Sequence, residues 1–172
     1  MLTKERFRLG MTFQEYLDQM VQNRDRLLQG LAEVEVRPEE QMVFRNLKKK
    51  INLLVITEDW CGDALAHFPV LARLVEGAPN VEMRVFLRDK NPDLMDQYLN
   101  KGIYRSIPVF VFLDDEMREL GRLIERPAKV TEFIEQKMSE TRRALRAQHT
   151  GEWRRVAAEE ITALLSRPDQ TT

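Results

Sequence analysis

One cysteine, Cys61, and two histidines, His67 and His149, are all that a chain of 172 residues contains of the commonest thiol and imidazole chemistry. A lone cysteine forms no internal disulfide and cannot supply a Cys-rich zinc or iron–sulfur site. Histidines so far apart make no His-based metal site either, and no metal is expected. Charge of one sign is also lacking: 27 Lys+Arg face 28 Asp+Glu, for a formal net charge of -1. That balance removes the global attraction that would point to nucleic acid or an anionic membrane. No run approaches the roughly 18–20 apolar residues of a membrane helix. The stretch from Met1 to Arg8 has no apolar core like that of a signal peptide, so the expected location is cytoplasmic. What is present is 43% hydrophobic and 32% charged, the composition of a soluble globular chain with its own core. The length suits one domain with some decoration.

The hydrophobic pattern orders the chain. Thr12-Phe13-Gln14-Glu15 is a capping box, followed at helical spacing by Phe13, Tyr16, Leu17, Met20, Val21, Leu27 and Leu28, with Gly30 as the stop. Pro38-Glu39-Glu40 opens a second helix, expected to end in Lys48-Lys49-Lys50 at the negative end of its dipole. Residues 51–57 are nearly all apolar and branched, which predicts a strand buried on both faces. A helix follows from about Cys61, broken by Gly77-Ala78-Pro79-Asn80. Residues 81–87 predict a second strand, and Asn91-Pro92-Asp93 opens a helix running to about Asn100. Residues 108–113 and 119–124 form a third and fourth strand, joined so tightly that they must be antiparallel. Pro127 starts a long helix interrupted at His149-Thr150-Gly151, and a last helix places Trp153, Val156, Ile161, Leu164 and Leu165 on its apolar face, with Trp153 in the core. Pro168 to Thr172 is expected to be a frayed tail.

Residues 51–148 therefore predict β-α-β-α-β-β-α: an α/β fold with a central four-stranded mixed sheet flanked by helices. Residues 1–50 are an N-terminal helical extension and residues 149–172 a C-terminal helix and tail, all in one compact domain.

Specific residues connect this order to a known family. Trp60-Cys61-Gly62 directly follows the first strand. Pro69 lies eight residues after Cys61, and Arg105-Ser106-Ile107-Pro108 precedes the third strand. The combination resembles the thioredoxin family, whose active site opens with Trp-Cys-Gly, whose active-site helix is kinked by a proline, and whose redox cysteine faces a cis-proline. The resemblance covers roughly residues 50–145. It is nearest to bacterial thioredoxin-like proteins of unassigned activity that carry N-terminal helices. It implies a thioredoxin-like fold, with Cys61 as the reactive residue. Trp60, Gly62, Asp63, Arg105, Ile107 and Pro108 then line a groove for substrate or peptide, with a cis Ile107–Pro108 bond able to pair with an extended ligand.

The departures decide the chemistry. Thioredoxins use Cys-x-x-Cys, but here the motif is Cys61-Gly62-Asp63-Ala64, so the resolving cysteine is Ala64. Dithiol exchange needs a second thiol to release the mixed disulfide, and an autonomous disulfide reductase is excluded. The buried aspartate that thioredoxins place six residues before the nucleophile is Val55. Glutaredoxins are a poorer match, because the Gly-Gly pair of their glutathione site is missing.

Cys61 at a helix N-terminus is placed for a lowered thiol pKa. Glu58, Asp59 and Asp63 oppose that. Arg105 is the expected offsetting cation, and His67 is expected to pair with Asp63 rather than to act as a base. Three functional readings stay open. One is monothiol redox or thiol transfer through Cys61, with a thiol-containing small molecule such as glutathione, or a protein segment, as partner. Another is a non-catalytic binding or assembly module using the same groove. A third is a mainly structural role in which the N-terminal helices self-associate. No bound cofactor and no nucleic-acid or membrane partner is expected.

Overall fold

The computed structural model describes residues 2–165. The expected tail from Pro168 to Thr172 lies outside them, as do the side chains of Leu164 and Leu165. Two compact units divide the chain, the first ending at Pro127 and the second beginning at Ala128.

The first unit is organised by four strands: β1 (Ile51–Thr57), β2 (Val81–Leu87), β3 (Val109–Leu113) and β4 (Glu119–Ile124), in the spatial order β2-β1-β3-β4. β1 and β2 are parallel, while β3 is antiparallel to both β1 and β4. The sheet is therefore mixed, and β1, β2 and β4 all run the same way. Their C-terminal ends, and the N-terminal end of β3, meet at one rim. Cys61 and Ile107–Pro108 reach that rim from opposite strand ends.

The apolar run of β1 is buried on both faces, and alternation splits it between two cores. Leu54 and Ile56 join Phe86, Val109, Val111 and Leu113 on one face. Phe7 of α1 (Lys4–Arg8) and Leu94 and Met95 of α6 (Pro92–Met95) cover them. Leu53 and Val55 join Val85, Leu87 and Phe110 on the other face. There the cover comes from α2 (Phe13–Gln19), α3 (Arg24–Glu33) and α5 (Gly62–Val75), through Tyr16, Leu17, Leu27, Phe68 and Leu71. Phe68 is the hub, with ring centroids 5.1 Å from Phe13, 5.7 Å from Tyr16 and 5.9 Å from Phe110. Helix α4 (Pro38–Arg45) packs against α5.

Several elements differ from the sequence expectation. The helix predicted from Thr12 is two helices. The capping box forms as predicted, but Met20 to Asn23 break the run, with Asn23 in the left-handed region at φ 56°. The Asp59 carboxylate accepts the backbone N–H groups of Val21 and Gln22 and holds the chain out of helix. Gly30 lies inside α3 rather than ending it, and its missing Cβ leaves room for the Pro69 ring, 3.0 Å from where that atom would sit. The short helix α1 was not anticipated; Thr3 caps it by accepting the Arg6 N–H. Lys48 to Lys50 lie past the end of α4, and Lys50 pairs with Glu82 at 2.7 Å. Helix α6 stops at Met95, not near Asn100, and turns carry the chain onward. β3 begins at Val109, one residue later than expected.

At the free edge of β2, Met11 and Val85 exchange backbone hydrogen bonds of 2.9 and 2.7 Å. Gly10 permits the approach, since a Cβ there would lie 2.5 Å from the Phe86 ring.

The second unit is a single helix, α7 (Ala128–Leu165). His149, Thr150 and Gly151 do not interrupt it. The His149 and Trp153 rings, one turn apart, stack at 6.3 Å between centroids, and His149 Nδ1 faces Glu152 at 3.4 Å. Trp153 is 46% exposed and so is not the core residue expected. A continuous helix is favoured locally by i,i+3 and i,i+4 pairs such as Lys137–Glu140 and Arg155–Glu159.

Candidate functional site

β1 delivers Glu58-Asp59-Trp60-Cys61 to the rim of the sheet. Cys61 is the N-cap of α5, and its Sγ accepts the Ala64 N–H at 3.4 Å. Across the rim the Ile107–Pro108 peptide bond is cis, and the Cys61 thiol donates to the Ile107 carbonyl oxygen at 3.4 Å. The expected pairing of Cys61 with the Ile107–Pro108 turn is thus a direct contact. Ala64, in the resolving-cysteine position, is buried in the same apolar cluster as Cys61 and Ile107. Val55 is wholly buried.

Cys61 is only 7% exposed. Burial pushes its thiol pKa up; the N–H groups of Ala64 and Asp63 and the charge of Arg88 pull the other way, while the Asp63 charge adds to the rise. The resting sulfur is therefore a protonated thiol at neutral pH. Tyr16 lies beneath the site, bonded to Thr57, and burial raises the pKa of its hydroxyl as well.

The three carboxylates of the segment have separate partners. Glu58 is buried and accepts the Asp89 N–H at 2.8 Å, and burial raises its carboxyl pKa. Asp59 binds the Val21 and Gln22 amides at 2.8 and 2.9 Å, and its carbonyl accepts from the Asn23 side chain. Asp63 faces Arg126, with Oδ2 3.6 Å from Nη1. His67, one turn beyond Asp63, has its pKa lowered by burial, with the Asp63 charge opposing that and Arg126 reinforcing it. It is neutral at pH 7, and the expected i,i+4 pair with Asp63 does not form, because the Asp63 carboxylate faces Arg126 instead.

The cations were placed differently by sequence reasoning. Arg105 makes a two-pronged pair with Asp96 at 2.6 and 2.7 Å, so its charge is spent away from the thiol. Arg88 is the cation whose charge bears on the thiol, although it also pairs with Asp89 at 2.8 Å. Its guanidinium lies 4.8 Å from the Trp60 ring centroid, and its Nη1 donates to the Arg105 carbonyl at 3.4 Å. Trp60 is 44% exposed, a surface ring braced by that cation. Gly62 is exposed at the first position of α5.

Arg88 and Arg126 lie far from Cys61 along the chain and have no local motif that ties them to it. Topology carried the signal. Residues just after β2 and β4 return to the rim at which β1 ends, because the three strands are parallel to one another. Among the described residues no group of three or more His, Cys, Asp or Glu is placed to hold a metal. Among them too, no helix is long and apolar enough to cross a membrane.

Comparison with known proteins agrees with this architecture. A protein of unknown function from Pseudomonas aeruginosa is 21% identical, with 87% of this chain and 92% of that one aligned and a TM-score of 0.68. An HIV epitope-scaffold is 23% identical over 74% of this chain and 79% of that one, with a TM-score of 0.63. Likeness at this level shows a shared fold. The curated proteins contain no match. A family model described as thioredoxin matches residues 10–147. That span takes in all four strands, Cys61 and the Ile107–Pro108 turn, and the chain belongs to the thioredoxin family.

Proposed function

We propose that the protein is a single-cysteine thiol-exchange protein acting through Cys61. The observation that carries this reading is the sulfur's position, 3.4 Å from the Ala64 amide on one side and 3.4 Å from the Ile107 carbonyl on the other. The amide stabilises a thiolate when one forms. In the exchange, Cys61 loses its proton to solvent and attacks a disulfide R–S–S–R. A Cys61–S–S–R bond forms and R–S⁻ leaves. With Ala64 in the resolving position, release needs a second thiol from outside the chain, such as glutathione. Trp60, Gly62, Asp63, Arg105, Ile107 and Pro108 frame the groove in which a small thiol or a protein segment is bound. A free thiol used this way belongs in a reducing cytoplasm.

The test is incubation of the folded protein with glutathione disulfide at pH 8, followed by intact mass. One glutathione adduct on the native protein, absent from Cys61→Ser and reversed by added thiol, is expected. No adduct on the folded chain overturns the reading.

A second reading, the non-catalytic binding module, is favoured by the burial and raised pKa of the thiol. It predicts that Cys61→Ser keeps full affinity for whatever segment occupies the groove. The exchange reading predicts that covalent capture is lost.

A further inference from the structure

A closed ring of contacts joins the two sides of the thiol site. It starts at Cys61, whose thiol donates to Ile107. The neighbouring Ser106 Oγ accepts from Asn100 Nδ2 at 3.3 Å. The same amide donates to Glu125 Oε2 at 2.7 Å. The other oxygen of Glu125 is bonded to Arg126 Nη2, and Arg126 Nη1 faces Asp63 Oδ2 at 3.6 Å. Asp63 stands two residues from Cys61 in the first turn of α5.

The turn that presents Arg126 is fixed. The Glu125 N–H donates to the Pro108 carbonyl at 2.8 Å, and Glu125 adopts a left-handed φ of 64°. Arg126 Nε is buried with no hydrogen-bond partner among the described residues. A guanidinium that gives up a hydrogen bond in order to straddle two carboxylates is held by its surroundings rather than by its own pairing.

We propose that Arg126 is a positioning residue for Cys61: by dividing its charge between Glu125 and Asp63, it offsets the Asp63 carboxylate and so sets how readily the Cys61 sulfur ionises. This rests on reading Cys61 as an exchanging thiol. Other groups face the sulfur as well. Arg88 comes from the end of β2, the Asp63 and Ala64 amides from α5, and from α2 comes Tyr16, whose hydroxyl also senses Glu58 and Asp59 at the end of β1. None of these stands in the ring between Asp63 and the Ile107–Pro108 turn. Arg126 is the cation that does.

The test is the pH profile of Cys61 alkylation by iodoacetamide. Arg126→Gln should raise the apparent thiol pKa by about half a unit, roughly a threefold fall in thiolate at neutral pH. Asp63→Asn should lower it. The double variant should track Asp63→Asn alone, because Arg126 then has no carboxylate beside Cys61 to offset. Arg126→Lys should restore most of the native value. An unchanged profile in Arg126→Gln overturns the proposal, as does an equal shift in the Asp63→Asn background. Should Arg126→Gln fail to fold, Glu125→Gln frees the guanidinium for Asp63 and should lower the thiol pKa. A rise, or no change, overturns the proposal. Glutathione adduct formation is scored separately. Its failure removes the exchange reading and leaves the alkylation profile interpretable, whereas a flat profile removes the role of Arg126 and leaves exchange standing.

Discussion

Asp59 and Asp63 flank Cys61 at equal distance along the chain, yet they are put to different uses. Asp59 faces backbone. Its carboxylate gathers two amides of the segment between α2 and α3, and so ties the N-terminal helices to the end of β1. Asp63 faces a side chain, Arg126, and lies near enough to the thiol for its charge to raise the thiol pKa. Amide donors leave a carboxylate's net charge in place, but of the two aspartates it is Asp63 whose charge bears on the thiol. One aspartate is therefore architectural and the other electrostatic, although the sequence spacing treats them alike.

The largest expected effect removes the platform under both. Phe68 packs among Phe13, Tyr16 and Phe110, and links α5 to α2 and to the sheet. Phe68→Ala should cost about 3–5 kcal/mol in urea unfolding, and both aspartates should lose their partners together. Next, Asp59→Ala should cost about 1–2 kcal/mol and speed hydrogen exchange at the Val21 and Gln22 amides. Asp63→Asn should stay within about 0.5 kcal/mol of native stability. Equal destabilisation by the two substitutions would break the contrast.

Two smaller effects follow from titration. Burial raises the Cys61 pKa, so the folded chain keeps a proton that the unfolded chain loses above about pH 8.5. Stability should fall as pH rises through that range, and Cys61→Ala should flatten the fall. His67 shifts downward, so the unfolded chain gains a proton below about pH 6.5 that the folded chain does not. Stability should fall slightly on acidification from pH 7, and less in His67→Gln. Thermal melts across pH measure both.

The strand order, the thiol and its turn could be read from the sequence because each has a local signature. Branched apolar runs mark β1 and β3, and Trp60-Cys61-Gly62 and Ile107-Pro108 mark the rim. What escaped was set by tertiary contact. The break at Met20–Asn23 arises from Asp59, far along the chain, and not from a breaker in the segment itself. Gly30 reads as a stop from composition, but it serves as a gap for Pro69. Arg105 was favoured because it adjoins Ile107–Pro108, yet Asp96 had already engaged it. Trp153 fits an apolar periodicity, yet its ring is half exposed and stacks on His149 of the same helix.

The pairing of Met11 with Val85 bears on how the protein behaves in crowded solution. Unpaired amides and carbonyls along an outer strand invite a stray chain to add on, and from there to growth of assemblies. The exchange between Met11 and Val85 occupies that template midway along β2, and Gly10 lets the obstruction lie flush. On the opposite side, Arg118, Glu119 and Arg122 put charge of both signs along β4. Both outer strands of this sheet thus carry a feature that disfavours strand addition, a paired residue on β2 and charge of both signs by β4.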